Sequence, residues 1–200
     1  MSFLKGFEKF VRQAEPLAMH TWFQIGGPAE YFAEPPSVDD LVALVRRARD
    51  VHMPVRVLGR GSNILVRDEG VPGLVVSLSQ PPFRQIEVAG DSITAGGGAR
   101  LGRVVTTAAH AGLAGLEDLV AIPGTVGGAL HGNAGTPGAE IGQWTAHVTV
   151  VTDAGEILQR RREDLVFDAT PAQRDFGYAP RGFHPTAQTF FPPESDGGHV

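Results

Sequence analysis

The stretch that most constrains the fold runs from Ala121 to Gly135. Five of its fifteen residues are glycine, and none is Asp, Glu, Lys or Arg. A flexible linker would be rich in serine, whereas Ile122, Val126 and Leu130 alternate with these glycines. Glycine among apolar neighbours is typical of backbone that takes positive φ or lies against a flat partner. The segment therefore predicts either backbone packed close to an anionic ligand or a tight turn beside a helix.

A second glycine-rich turn, Gly59–Asn63, lies between the apolar runs 55–58 and 64–66. Both runs are β-branched and predict strands. The glycines would let the turn approach a diphosphate, and Ser62 and Asn63 would add side-chain donors. No Lys-Ser or Lys-Thr follows, and the second run predicts a strand rather than a helix, so neither a P-loop nor a dinucleotide fingerprint is present. An ordinary hairpin would explain the turn nearly as well.

Two further glycine clusters, at 26–27 and 96–98, interrupt apolar runs elsewhere in the chain. Four such clusters in 200 residues are hard to explain as unrelated turns. They indicate several loops that converge on one extended ligand.

Five motifs follow one another along the chain: Thr-x-Phe-x-Ile-Gly-Gly-x-Ala (21–29), Leu-Gly-x-Gly-Ser-Asn (58–63), Gly-Leu-x-Gly-Leu-Glu (112–117), Ile-Pro-Gly-Thr-Val-Gly-Gly-Ala (122–129) and Asn-Ala-Gly (133–135). Their joint order, from about residue 17 to 167, resembles the UDP-N-acetylenolpyruvoylglucosamine reductases, also called UDP-N-acetylmuramate dehydrogenases. The resemblance implies an α+β, FAD-binding fold of the vanillyl-alcohol-oxidase (PCMH) type, with flavin between two subdomains. It also implies NADPH as co-substrate and a UDP-sugar substrate, in peptidoglycan precursor synthesis.

The resemblance assigns FAD binding to residues of two glycine-rich segments. From the first these are Gly59, Arg60, Gly61, Ser62 and Asn63; from the second they are Ile122, Pro123, Gly124, Thr125, Gly127, Gly128, Ala129, Asn133 and Gly135. The chain has no cysteine, so a cysteinyl bond to the flavin is excluded.

Periodicity and turn signals support a division into residues 1–80 and 81–167 as two FAD-binding subdomains, with 168–200 as a divergent proline-rich tail. In the first part, Ser37 predicts the N-cap of an amphipathic helix that ends before Pro54. In the second, hairpins are predicted at 86–95 and 147–159, with a helix over 101–111 between them.

The tail departs from the family pattern. In the family, Asp-Leu-x-Phe (here Asp164–Phe167) is closely followed by Tyr-Arg-x-Ser and then by a substrate-binding domain with a proton-donating serine. After Phe167 this chain reads Asp-Ala-Thr-Pro, so no catalytic residue is identifiable. We expect a truncated or frameshifted gene product; the alternatives are a natural short, non-catalytic flavin-binding module and another oxidase of the same superfamily.

Composition limits the possible partners. A net charge of −5 argues against a nucleic-acid surface, and the seven histidines show no metal-ligand spacing. Residues 1–15 show no signal peptide and no run is long enough to span a membrane, so we expect a cytoplasmic protein. Oligomeric state does not follow from the sequence.

Four single residues carry separate expectations. Glu117 is predicted to orient its loop by accepting backbone N–H bonds rather than to act as a base. His131 is predicted to lie on a helix surface, although it could face flavin. Trp22 and Trp144 are predicted to be core residues rather than flavin-stacking residues.

Overall fold

The computed structural model describes residues 3–161, which belong to one unit that runs from Met1 to Leu165. The predicted tail, and the Asp164–Phe167 motif before it, lie outside the described residues. The division at residue 80 stays a prediction.

The first part of the chain forms a four-stranded mixed sheet. Its strands are β1 (Val11–Pro16), β2 (Pro28–Ala33), β3 (Val55–Leu58) and β4 (Val71–Ser77), in the order β1-β2-β4-β3. β1 pairs with β2 antiparallel, whereas β2, β4 and β3 are parallel. β4 is buried along Leu74, Val75 and Val76, as expected for a central strand with both faces covered.

The helix α1 (Val38–Asp50) connects β2 to β3 and confirms the predicted amphipathic helix. The Ser37 hydroxyl caps it by accepting from the Asp40 N–H at 3.1 Å. Residues spaced three and four apart are buried: Leu41, Leu44, Val45 and Ala48. This face packs on the sheet with the side chains of Leu74 and Val76. Val75, which alternates with them, packs on the opposite face with Leu17 and Phe32.

The strand predicted for Ile64–Val66 is wrong, because these residues form no regular element. Ile64 and Val66 are partly buried against the second sheet cluster, which explains their apolar character. A Cβ at Gly26 would lie 2.6 Å from Val66 Cβ, so a loop packs beside this segment where a strand partner would be needed. Partial burial, rather than strand pairing, accounts for the apolar side chains of Ile64 and Val66, whereas Leu65 is exposed.

The second part of the described chain holds shorter elements, and both predicted hairpins and the predicted helix are confirmed. The elements are β5 (Ile86–Ala89), β6 (Ser92–Ala95), α2 (Leu101–His110), α3 (Val126–His131), β7 (Gly135–Thr136), β8 (Ala139–Glu140), α4 (Ile141–Trp144), β9 (His147–Val151) and β10 (Ile157–Arg161). Their core joins α2, α3 and α4 through Leu101, Val105, Ala129 and Ile141.

Helix length and hydropathy bear on membrane insertion. None of the helices between residues 3 and 161 is both long and apolar enough to cross a bilayer.

Candidate functional site

A cleft of about 140 Å³ lies where the parallel strands β3 and β4 end and α3 begins. Loops that follow parallel strands meet at one edge of a sheet, which is where ligands bind in many mixed folds. The lining residues come from four separated parts of the chain: 57–60, 77–84, 97–100 and 125–128. Three of the four predicted glycine clusters therefore converge here or beside it, whereas the cluster at 26–27 packs on residues 66–70.

The wall of the cleft formed by residues 97–98 is built by backbone packed on backbone. The Gly127 N–H donates to the Gly97 carbonyl at 2.8 Å, and the Gly98 N–H donates to the Phe83 carbonyl at 2.8 Å. A Cβ at Gly98 would overlap the Leu78 carbonyl oxygen. This position therefore excludes every side chain, and the glycine cluster fixes the distance between the two walls.

Thr125 holds the start of α3 at the opposite side. Its hydroxyl accepts from the Gly128 N–H at 3.2 Å, and its side chain is buried. A Cβ at Gly59 would lie 2.8 Å from Thr125 Oγ1, so the turn after β3 approaches this cap closely. The two predicted FAD-binding segments are thus in direct contact.

The turn after β3 offers backbone donors. Gly61 is buried with a φ of +61°, and its carbonyl accepts from the Trp22 N–H at 3.0 Å. Within residues 3–161, the N–H groups of Arg60, Gly61 and Ser62 meet no protein acceptor. Successive amide groups in such a turn form a concave site for an anion.

A second cleft, of about 280 Å³, adjoins the first and shares Arg60 and Arg100 with it. Trp22, Gly102, Arg103 and residues 120–124 complete its lining. In the described part of the chain, no carboxylate pairs with Arg60, Arg100 or Arg103. Although the chain is acidic overall, the two clefts therefore form a locally cationic surface.

Eight of the fourteen predicted FAD-binding residues line one of the two clefts. Gly59, Arg60, Thr125, Gly127 and Gly128 line the first, and Arg60, Ile122, Pro123 and Gly124 line the second. Gly61, Ser62, Asn63, Ala129, Asn133 and Gly135 line neither.

Two of these six residues have structural roles. Ala129 is buried in the helical core. The Asn133 amide donates to Glu140 at 2.6 Å and accepts from the Gly142 N–H at 3.1 Å, which ties α3 to α4.

Several lining residues lay outside the predicted set: Leu78, Ser79, Arg84, Gly97, Gly98, Arg100 and Arg103. The glycine cluster at 96–98 could have indicated Gly97, Gly98 and Arg100, because Arg100 follows that cluster within two residues. Arg84 and Ser79 carried no such signal: Arg84 ends the short 3₁₀ turn Pro81–Arg84, and Ser79 lies between β4 and that turn.

The prediction that both tryptophans are core residues is wrong. Trp22 is 63% exposed and Trp144 is 52% exposed. Trp22 lies on the loop that follows the 3₁₀ turn Leu17–His20, and Trp144 lies over Gly115, where any Cβ would meet its ring.

Two other single-residue predictions agree with the structure. Glu117 Oε2 accepts from the Gly115 N–H at 2.6 Å, so the carboxylate orients its own loop as predicted. His131 is exposed at the end of α3, on a helix surface. Between residues 3 and 161, no group of three His, Asp or Glu side chains could hold a metal ion.

A hydrogen-bond network of Arg12, Glu34 and Ser79 reaches the lining of the first cleft. Glu34 accepts from Arg12 Nη2 at 2.8 Å and from the Ser79 hydroxyl, and Ser79 lines the cleft. Burial alone would raise the pKa of Glu34, but the hydrogen bonds from Ser79 and Arg12, with the charges of Arg12 and His20, outweigh it and lower that pKa. The carboxylate is therefore held ionised.

Comparison with known proteins gives a consistent result. A family described as FAD binding domain matches residues 29–160. The chain is 48% identical over 152 residues to a UDP-N-acetylenolpyruvoylglucosamine reductase of Paramagnetospirillum magneticum, covering 76% of this chain and 49% of that protein. The reductase of Rhodopirellula baltica is 41% identical, with 73% and 48% covered. The chain thus spans about half the length of the curated relatives it matches.

Solved structures show the same fold. The UDP-N-acetylenolpyruvylglucosamine reductase of Thermus caldophilus superposes with a TM-score of 0.66 at 37% identity, over 77% of this chain and 54% of that one. A glucose dehydrogenase, Phl p 4.0202, has a TM-score of 0.59 at 18% identity, over 79% and 36%, which bears on fold alone. The predicted α+β fold of the vanillyl-alcohol-oxidase type is confirmed.

Proposed function

This chain belongs to the FAD binding domain family, and on that premise we propose that it is the flavin-holding part of an NADPH-dependent UDP-N-acetylenolpyruvoylglucosamine reductase. Its product would be UDP-N-acetylmuramate, a peptidoglycan precursor. The observation that carries the proposal is the pair of adjoining clefts, where loops from four parts of the chain meet around unpaired arginines, next to the turn 60–62 with its free amides.

The residues present fit FAD. The free N–H groups of Arg60, Gly61 and Ser62, with the Arg100 guanidinium, are suited to the two charges of a diphosphate. Each cleft is smaller than the roughly 300 Å³ of a typical small-ligand pocket, so a dinucleotide would extend across both. The shared arginines, Arg60 and Arg100, lie where the two clefts meet.

Bound FAD would supply the hydride-transfer chemistry, which no amino-acid side chain provides. The chain's own part is to bind and orient. Gly98 and Thr125 set the width of the first cleft, and the Glu34–Ser79 contact fixes its rear wall. Among residues 3–161 we assign no proton donor to the substrate. The proposal includes a UDP-sugar as substrate, a cytoplasmic location, and no nucleic-acid or membrane partner.

The test has two stages. Purified protein is first titrated with FAD and its flavin absorbance is recorded; retention of one FAD per chain is expected. NADPH oxidation is then measured with UDP-N-acetylenolpyruvoylglucosamine, and with UDP-N-acetylglucosamine as the control that lacks the enolpyruvyl group. Oxidation that depends on the enolpyruvyl sugar supports the reductase.

A second candidate is a flavin-binding module without catalysis, because residues 3–161 form the two adjoining clefts and we assign no proton donor among them. FAD retention with NADPH oxidation equal in both sugars would favour that module. Failure to retain FAD would contradict both candidates.

A further inference from the structure

Trp22 occupies an unusual position for an exposed tryptophan. It is 63% exposed, yet it lines the second cleft beside Arg60, Arg100 and Pro123. Large apolar side chains on a surface are ordinary when scattered, but a tryptophan at the wall of a cationic cleft offers a flat face next to anion-binding groups.

The position of Trp22 is tied to the turn after β3. Its N–H donates to the Gly61 carbonyl at 3.0 Å, and a Cβ at Gly61 would lie 2.6 Å from Thr21 Cα. The two segments therefore pack backbone on backbone. The Gly61 carbonyl that accepts from Trp22 belongs to the same peptide group as the Ser62 N–H, which is one of the free donors.

The loop that carries Trp22 is also fixed internally. Thr21 is buried, and its hydroxyl donates to the Ile25 carbonyl at 2.9 Å. Gln24 takes a φ of +56°, which a side chain adopts only where the surroundings require it, and its N–H donates to the Thr21 carbonyl at 3.2 Å. The backbone at Trp22 is held in place before any ligand arrives.

From this arrangement we infer that Trp22 is the stacking residue for a planar ring of FAD, while the adjoining amides and arginines hold the diphosphate. An aromatic face beside an anion site is the chemistry that recognises a nucleotide, because the ring gains stacking and the phosphates gain charged hydrogen bonds. The inference rests on the proposed FAD binding and adds a residue that the 21–29 motif spans but leaves unspecified.

The experiment compares FAD dissociation constants, measured by isothermal titration calorimetry, for the wild-type chain and three substitutions of Trp22. Trp22→Ala and Trp22→Leu should weaken binding by about tenfold, since both lose the aromatic face. Trp22→Phe should restore most of the affinity. The matched control is Trp144→Ala, which removes an exposed tryptophan that lies over Gly115 and lines neither cleft.

Two fragments of FAD identify the ring. Loss of affinity for ADP in Trp22→Leu would place the adenine on Trp22, and loss of affinity for FMN would place the isoalloxazine there. If the wild-type chain binds FAD and Trp22→Leu binds it equally well, the stacking role is overturned while the proposed function stands. If the wild-type chain binds no FAD, both are overturned. Because Trp22 is exposed, thermal melting of each variant should match that of the wild type.

Discussion

Arg12 Nη2 donates to Glu34 Oε2 at 2.8 Å, which joins the edge strand β1 to the segment that follows β2. Glu34 accepts from the Ser79 hydroxyl with its other oxygen. One carboxylate therefore connects the edge of the sheet to the wall of the first cleft. Because the Arg12 side chain is 46% exposed, the energy of this pair is small, and its main effect is on position.

Stability should depend on the ionisation of Glu34. Its pKa is lowered, so its contribution is present above the ordinary glutamate value of about 4.5 and is lost as pH falls through the lowered value. Glu34→Gln should lower the unfolding free energy near neutral pH by about 1 kcal/mol and flatten its acid dependence. Urea unfolding from pH 3 to pH 7 measures this, with Glu87→Gln, an exposed residue of β5, as the control. If the unfolding free energy of Glu34→Gln fell with decreasing pH as steeply as that of the wild type, Glu34 would not be the source of the acid dependence.

Gly98→Ala should destabilise the chain and distort the wall of the first cleft. Its Cβ would overlap the Leu78 carbonyl oxygen, which is backbone and cannot move away cheaply. We expect a loss of about 1–3 kcal/mol and weaker FAD binding. Gly102→Ala is the control for stability alone, because Gly102 lines the second cleft. Its Cβ would find only the Val120 carbonyl oxygen at 3.9 Å, and α2 would gain helix propensity. A lower melting temperature for Gly102→Ala than for Gly98→Ala would refute the packing argument.

Thr125→Ala should lower stability by about 1 kcal/mol because α3 loses its N-cap. Thr125→Ser keeps the hydroxyl and should recover most of the loss. Chemical denaturation gives the stability, and FAD titration of the same variants reports whether the cap also positions the cleft. Equal stability of the alanine and serine variants would show that the methyl group, rather than the hydrogen bond, matters.

Arg100→Ala should weaken FAD binding roughly tenfold, and the weakening should be smaller at high salt, because exposed charges are screened there. Arg49→Ala, on the exposed side of α1, serves as the control for loss of one positive charge. Titrations at low and high ionic strength separate the local contact from the net charge. Equal losses in both variants would argue that Arg100 contributes only to the overall field.

The parts of the fold that were predictable from sequence are those specified by local chemistry. Ser37, with the apolar spacing after it, predicted α1, and the Gly90-Asp91 turn predicted the β5–β6 hairpin. Ile64–Val66 was misread because short apolar runs look alike whether they pair as strands or pack as loops. Only the surrounding structure distinguishes these two cases.

The glycine-rich parts of the candidate site were predictable from sequence, whereas its arginine residues were less so. Gly59, Thr125 and Gly127 were assigned because their motifs resemble those of a known reductase family, and all three line the first cleft. Arg84 and Arg100 are ordinary in sequence and gain meaning only when distant loops meet. Trp22 was wrongly assigned to the core. Tryptophan is buried on average, but here its loop is fixed by its own hydrogen bonds and leaves the side chain exposed.

The separation of the two tryptophans gives the protein a built-in optical probe. Trp22 and Trp144 are its only indole chromophores, and one borders the second cleft while the other lies over Gly115. The tryptophan emission of a chain that carries Trp144→Phe therefore comes from the cleft, and that of a chain that carries Trp22→Phe comes from the α4 region. Events at these two places can be followed as separate signals in unlabelled protein.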